Sequence, residues 1–524
     1  MGEVHTHFKT LDWAVLIGYL LLTTWIGHSL RGKQATIRDF FLAGRSLPWP
    51  AVCGSIIATE ISALTFIGVP GMVFAAGGNW TYLQWAIGSV IARFIVGIYF
   101  TKVFYEREIY SPYDYMQHRL GGKARNLTTT LFFLGSILGQ SVRLLVTAIV
   151  LKTVTGLDFH LCILIIGLFA IVWTLMGGMT TVVWTDVVQF GVFIFSGLLA
   201  LGWILYALPG GWSQWVNVAS EAGKFRLIDL TTDPSVGFTL WVGIIAMPFQ
   251  NMAAFGTDQL NAQRMFCCRS AKDAGKAMIY SSLGQLVTIL MLCVGAGLFA
   301  YYQHFSPSPA ELSLFGADAD YVFPVWITTV LPAGITGLIL AGAFAAAISS
   351  LDSALAALSQ ATLALRFDGK DWAHEGSAFR MLLASRVAVI FWGITLPICA
   401  IGLDHVRGNI NLVNLAFGMV SYTYGPMLGI FLLALFRENT GTRGVWIGLI
   451  ISILLALYVR PDIYTVLKNF GIITAEQAIQ WKPKLHYAWL YPITCLITLG
   501  CGLLFSSKSV KNSLEQKLTD GVGS

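Results

Sequence analysis

The chain has 524 residues, of which 56% are hydrophobic and only 11% charged, with a formal net charge of +6 and a mean hydropathy of +0.69. A soluble globular protein carries about 25% charged residues, so this composition excludes a string of soluble domains. Eight cysteines without a CxxC pair argue against a disulfide framework, a thiolate metal centre and redox chemistry.

Apolar windows of roughly 20 residues, each able to cross a hydrocarbon core of about 30 Å, recur along the chain. They predict an all-α polytopic membrane protein with about thirteen transmembrane helices. In chain order these lie near 10–30, 48–75, 80–103, 126–151, 158–177, 181–207, 238–263, 275–301, 333–365, 381–403, 411–436, 442–458 and 486–507. The first has no basic region before it and no small-residue cleavage site, so it reads as a retained helix and not a signal peptide.

The loops alternate in charge. Arg31, Lys33, Arg38 and Arg45 follow the first span, and Lys102, Arg107, Arg119, Lys123 and Arg125 follow the third. Later basic clusters are Arg264/Arg269/Lys272/Lys276, Arg366/Lys370/Arg380, Arg437/Arg443 and Lys508/Lys511/Lys517. By the positive-inside rule these loops are cytoplasmic, which puts the N-terminus outside and the C-terminus inside. The same bias accounts for the positive net charge, so nucleic acid is not implied. The polar stretches 208–236, 302–322, 366–380, 460–485 and 508–524 are each too short to hold a core. The lipid bilayer is therefore the partner this sequence demands, as a multi-pass protein of the cell membrane.

Ionisable groups inside spans are costly. Glu60, Arg143, Asp186, Asp258 and Asp352 stand out. Each has a plain structural reading, as a helix-end residue or half of an ion pair; it weighs most for Asp258, at the cytoplasmic end of its predicted span. Asp352 lies in "AAAISSLDSALAALSQ", Ala345–Gln360, where Ser349 is about 25 Å from either end of its helix. Ala346, Ser349, Ser350 and Ser353 follow the i, i+3, i+4, i+7 stripe of one helix face. A small-residue stripe packs closely on another helix, but that does not explain the carboxylate beside it. Hydroxyls and carboxylates are hard oxygen ligands, suited to a hard cation. A second span, "GSIIATEISALTFIGVPG", Gly54–Gly71, is interrupted by Glu60, Ser62 and Thr65. A local break there would free backbone carbonyls inside the membrane, as at the ion sites of secondary transporters.

Four stretches closely resemble the sodium/solute symporter family. They are "RDFFLAGRSLPWPAVCGSIIATEISALTFIGVPG" (Arg38–Gly71), "GGMTTVVWTDVVQ" (Gly177–Gln189), "TDQLNAQR" (Thr257–Arg264) and "GLILAGAFAAAISSLDSALAALSQ" (Gly337–Gln360). The resemblance implies a LeuT-like 5+5 inverted-repeat transporter fold, importing a small organic solute with sodium by alternating access. It divides the chain into an extra helix and loop (1–47), two five-helix units (48–207 and 208–437), and two final helices with a tail (438–524). It implies a first sodium ion on the carbonyls of Ala58, Ile61 and Ala346 and the hydroxyls of Ser349 and Ser350. A second sodium, present in some members, would take Asp186, Ser349, residue 352 and Ser353. Here residue 352 is Asp where two-sodium members carry a hydroxyl, so one or two ions, or a proton between the acids, stay open. Solute residues by position are Glu60, Ser62, Thr65, Gln84 and Phe255, with Arg143 one turn from the arginine of sialic acid carriers. Arg143 suits a carboxylate; Glu60 suits an amine or sugar hydroxyls, and a structural Glu60–Arg143 pair is the plain alternative. The functional unit is expected to be a monomer. A sodium-independent uniporter or channel, or an intramembrane sensor, is the alternative function. No HExxH or GxSxG motif supports an enzyme.

Overall fold

The computed structural model describes residues 8–505 apart from 31–36, 107–108, 110, 177, 367–377, 408–409 and 439–440. Arg31, Lys33, Arg107, Lys370, Lys508, Lys511 and Lys517, on which part of the loop-charge reading rests, lie outside the described residues, as do the side chains of Arg38 and Arg366.

The described residues are helical throughout, with one isolated bridge between Leu47 and Cys268. We label the helices that matter below. α1 is Thr10–Ser29; α2, Trp49–Glu60, and α3, Ala63–Phe74, form one span bent by 53°. α4 is Trp80–Tyr105, α5 Gly122–Thr155, α6 Phe159–Met176 and α7 Met179–Ala207. α8, Met247–Met252, lies between π-turns at Val242–Ala246 and Ala253–Thr257 and is followed by α9, Gln259–Phe266. α10 is Ala271–His304, α11 Ile335–Arg366, α12 Ala378–Arg407 and α13 Leu412–Phe436. α14, Arg443–Val459, and α15, Pro461–Asn469, meet at 69°, and α16 is Leu490–Leu504.

Among the described residues nine helices are long and apolar enough to cross a membrane, and the two bent pairs make eleven. The remaining expected spans are the 18-residue α6 and the interrupted segment through α8 and α9. The order of elements repeats: a broken helix, then four long ones, from α2 to α7 and again from α8 to α13. The third helix of each series is deeply enclosed, with 78% of the apolar window buried in α5 and 89% in α11. α11 packs against α1, α2, α5, α7, α9 and α12. Its serines and Asp352 therefore face protein, not lipid, as polar groups at membrane depth must.

Close approach depends on glycine at two crossings. A Cβ on Gly88 would stand 2.4 Å from Gly243 O, and one on Gly275 would stand 2.4 Å from Gly97 O. Small residues let membrane helices touch backbone to backbone. These two contacts fix α4 against the segment leading into α8 and against α10, so the walls of the central cavity are rigidly spaced.

Candidate functional site

The first break is built by its sequence. Ile61 (φ −73°, ψ 117°) and Ser62 (φ −128°, ψ 178°) are extended, and Ser62 Oγ caps α3 by accepting from Leu64 N at 3.3 Å. A helix end leaves its last carbonyls without helical donors. Ile57 O still accepts from Ile61 N at 2.9 Å, so release begins at Ala58. Thr59 O then accepts from Arg143 Nη1 at 2.9 Å. α2 packs on α11, where Ala346, Ser349 and Ser350 are buried, as are Ala58 and Ile61. Ser350 Oγ donates to Ala347 O at 2.9 Å, which leaves its lone pairs for a cation. The residues of the expected first sodium site thus lie buried on two helices that pack against each other.

The second break copies the first in backbone. Asp258 is extended at φ −78°, ψ 126°, and its Oδ1 accepts from Leu260 N at 2.9 Å to cap α9. Its Oδ2 accepts from Tyr424 Oη at 2.7 Å. The expectation that Asp258 sits at a cytoplasmic helix end is therefore corrected. The chain does not leave the helical bundle after Phe255; it restarts as α9 and stays buried.

That restart also corrects Arg264, read from sequence as a loop charge. It is 1% exposed and buried among α2, α7 and α11. Its Nε donates to Ser55 Oγ at 2.9 Å, Nη1 to Leu260 O at 2.6 Å, and Nη2 to Asp186 Oδ2 at 3.0 Å and to Ser353 Oγ. Asp186 accepts in addition from Ser55 Oγ and Ser349 Oγ, both at 2.5 Å. The expected second ion between Asp186, Ser349 and Ser353 meets a fixed guanidinium in that place. Asp352 is also fully buried, and Oδ1 accepts from Ser353 Oγ at 3.2 Å.

Beside the first break lies a cavity of about 150 Å³, several times the ~15 Å³ that a single water centre needs. Glu60, Ser62, Thr65, Arg143 and Phe255 line it, as expected. Gln84 does not. Its amide donates to Thr81 O and Phe238 O at 3.2 and 3.0 Å and accepts from Asp229 N at 3.1 Å, so it ties down the following loop. The expected Glu60–Arg143 pair is also replaced. Glu60 pairs with Arg93, whose Nη1 donates to Ser281 Oγ at 3.0 Å and whose guanidinium lies 4.4 Å from the Phe255 ring centre. Arg143 instead sits in the electrostatic field of Tyr424, Asp258 and Glu60. Three acceptor oxygens among the cavity residues, Gln140 Oε1, Gln250 Oε1 and Asn261 Oδ1, are buried without a hydrogen-bond partner.

Sequence reasoning missed Arg93 and the placement of Arg264. The signal for Arg93 was present, a lone arginine inside an apolar span, which is a functional or structural site by default. Arg264 carried none, because a charge one residue past a predicted helix end looks like a loop charge until the restart is known.

With this geometry in place, comparison with known proteins is informative. A model of the sodium:solute symporter family matches residues 40–452. The sodium/sialic acid symporter of Proteus mirabilis is 29% identical over 458 residues, covering 86% of this chain and 90% of its own. The sodium/glucose cotransporter of Vibrio parahaemolyticus is 29% identical over 467 residues, covering 85% and 83%. The human sodium/iodide cotransporter is 28% identical over 471 residues, covering 87% and 70%. A solved sodium-coupled sialic acid symporter, substrate-bound and outward-open, superposes with a TM-score of 0.78 at 25% identity, covering 96% of this chain and all of the other.

Proposed function

The chain belongs to the sodium:solute symporter family, and from that premise we propose that it carries an anionic or zwitterionic organic solute, rich in hydroxyl or N–H donors, in the cavity between Arg143 and Asp258. The observation that carries this reading is the polarity of the lining. Arg143 makes one hydrogen bond among the described residues, to Thr59 O, which leaves guanidinium donors for a carboxylate. The unpartnered oxygens of Gln140, Gln250 and Asn261 call for donors on the solute, since a buried acceptor without a partner costs about 1–3 kcal/mol. Ser62, Thr65 and Phe255 complete the walls, and Glu60, held by Arg93, offers a carboxylate edge to an amine or hydroxyl.

One sodium ion takes the carbonyls of Ala58, Ile61 and Ala346 and the hydroxyls of Ser349 and Ser350. A second ion in direct contact with Asp186 and Ser353 would have to displace Arg264, so those residues serve better as a fixed salt bridge. Ion and solute are coupled through the four-residue segment Ala58–Ile61. Sodium on Ala58 and Ile61 orders the break whose Thr59 carbonyl holds Arg143, and linkage makes the effect reciprocal. The two five-helix units, 48–207 and 208–437, each contribute one break to the site. The loop charges support a cytoplasmic C-terminus.

The test is a thermal-shift screen of purified protein against organic acids, amino acids and sugars, in sodium and in potassium. A carboxylate-bearing solute is expected to stabilise the protein in sodium only. Equal stabilisation in potassium would remove the ion coupling, and response to neutral sugars alone would remove the role of Arg143.

A further inference from the structure

Arg93 is buried behind the wall of the solute cavity. Its side chain is 0% exposed and is not among the lining residues, whereas its partner Glu60, 29% exposed, is. Three elements hold the guanidinium. Nη2 donates to Glu60 Oε2, at the end of α2. Nη1 donates to Ser281 Oγ, in α10, at 3.0 Å. The Phe255 ring, in the π-turn before the second break, has its centre 4.4 Å away. A residue beside each break thus touches Arg93. Its backbone is fixed as well, because Arg93 lies on α4 between Gly88 and Gly97, the points of close contact with Gly243 and Gly275. A cation so placed has no route to water and keeps its counter-ion.

This pairing sets the charge that a solute meets. The lining carries three charged side chains, Glu60, Asp258 and Arg143. With Arg93 behind Glu60, they sum to zero. The proposed sodium ligands at Ala58, Ile61, Ala346, Ser349 and Ser350 are carbonyls and hydroxyls, so the ion adds one positive charge beside the first break. A monoanion in the cavity cancels that charge; a zwitterion leaves it standing, at a depth where uncompensated charge is costly.

The same contact limits what Glu60 can bind. A solute ammonium there would share one carboxylate with Arg93, and its loss of hydration is offset only by a counter-charge of its own. A hydroxyl brings no charge and needs only a carboxylate lone pair. We propose that Arg93 is a positioning residue that cancels the Glu60 charge from behind the wall, so that the cavity selects a hydroxy acid over the amino acid of the same skeleton. The inference rests on the carboxylate reading of Arg143 above, and narrows it.

The experiment is a thermal-shift titration of the purified full chain in sodium with matched pairs that differ only in a hydroxyl or an ammonium at one carbon. The pairs are lactate and alanine, phenyllactate and phenylalanine, and gluconate and 2-amino-2-deoxygluconate. The readout is the ratio of half-saturating concentrations within a pair, which a merely structural residue would not move. Wild type is expected to favour the hydroxy acid about ten-fold. Arg93→Met uncovers Glu60 and should abolish or reverse that preference, while Arg93→Lys keeps it. Should Arg93→Met fail to fold, Glu60→Gln decides. It leaves Arg93 without its counter-charge and should widen the ratio, and Glu60→Gln/Arg93→Gln should return the ratio to the wild-type value. A wild type that binds the amino member as tightly, an Arg93→Met variant that weakens both members alike, or equal ratios in Glu60→Gln and the double variant overturns the role of Arg93. If wild type responds to no carboxylate in either set, the carboxylate reading of Arg143 fails and takes this inference with it.

Discussion

The solute cavity and the cluster around Arg264 are built from the same groups but balanced differently. The cavity is lined by two acids and one arginine, Glu60, Asp258 and Arg143, with a second arginine, Arg93, behind it on Glu60. The cluster has two acids and one arginine: Asp186 with Arg264, and Asp352 alone. In the cavity each charge keeps some capacity for a ligand, because Asp258 is held by Tyr424 and a backbone N–H, and Arg143 by one carbonyl. In the cluster Arg264 spends its donors on protein oxygens, and what remains is an excess of acceptors. A space with both signs on offer receives a zwitterion or a polar anion.

The strongest way to break this comparison is to remove the cluster's only arginine. Arg264→Met leaves Asp186 and Asp352 facing one another without a counter-charge. Deleting one partner of a buried ion pair costs roughly 3–5 kcal/mol, so the variant is expected to lose much of its thermal stability or fail to purify as a single species. Arg264→Lys retains charge but not the fork that reaches Ser55, Ser353 and Asp186 at once, and should fall between. A wild-type melting temperature in Arg264→Met would show that the pair carries no weight.

A smaller loss is expected in the cavity, where the damage appears in binding and not in folding. Arg143→Ala removes a charged hydrogen-bond donor, about 1.5–3 kcal/mol, which corresponds to roughly a 10- to 100-fold weaker solute affinity. The readout is the solute dependence of the melting temperature for the compound found by screening. Solute-free stability should stay near wild type, in contrast to Arg264→Met. Native affinity in Arg143→Ala would return Arg143 to a structural role. Smaller again is Ser350→Ala, which deletes one proposed neutral sodium ligand at almost constant volume. A loss of about 1 kcal/mol would raise the sodium half-saturation several-fold and leave solute-free folding intact.

Much of this architecture was legible from residues. The spans followed from apolar length, the first break from Glu60-Ile61-Ser62 inside a hydrophobic run, and the α11 stripe from helical spacing. What was not legible is which charges meet. Hydropathy gives depth in the membrane, not rotation about a helix axis, so the structural alternative for Glu60 named Arg143, whereas the packing of α4 presents Arg93. A mid-span break was recognised around Glu60 and Ser62 but not at Asp258, because Asp258 stands near the end of its apolar run and the helix that it restarts, Gln259–Phe266, reads as hydrophilic. Arg264 was lost with it. Gln84 was placed by position along its span, yet the helix begins there, and the side chain turns to the loop.

A third buried arginine sharpens the comparison because it serves neither site, and its effect should be the smallest. Arg460 stands at the bend between α14 and α15, 2.5 Å from Asp462 Oδ1, with its guanidinium 5.6 Å from the Tyr422 ring centre and 5.2 Å from that of Tyr487. In the connection leading to α16, His486 Nδ1 accepts from Ala488 N at 3.3 Å, which requires the neutral ring. Burial, with Arg460 and Lys482 nearby, pushes the His486 imidazole down from 6.5 to about 4. The sign follows from proton binding. Between these values the unfolded chain holds a proton on His486 that the folded protein does not, so stability is complete above about pH 6.5 and declines as pH falls toward 4. His486→Gln keeps an acceptor for Ala488 N and cannot titrate. The melting temperature of wild type relative to His486→Gln should therefore drop by a few degrees across that window, with sodium half-saturation at neutral pH unchanged. A constant difference from pH 7 to 4.5 would mean that His486 is not held neutral. A change in sodium affinity would mean that the region around Arg460 is coupled to the ion sites after all, and the line drawn between structural and functional arginines would have to move.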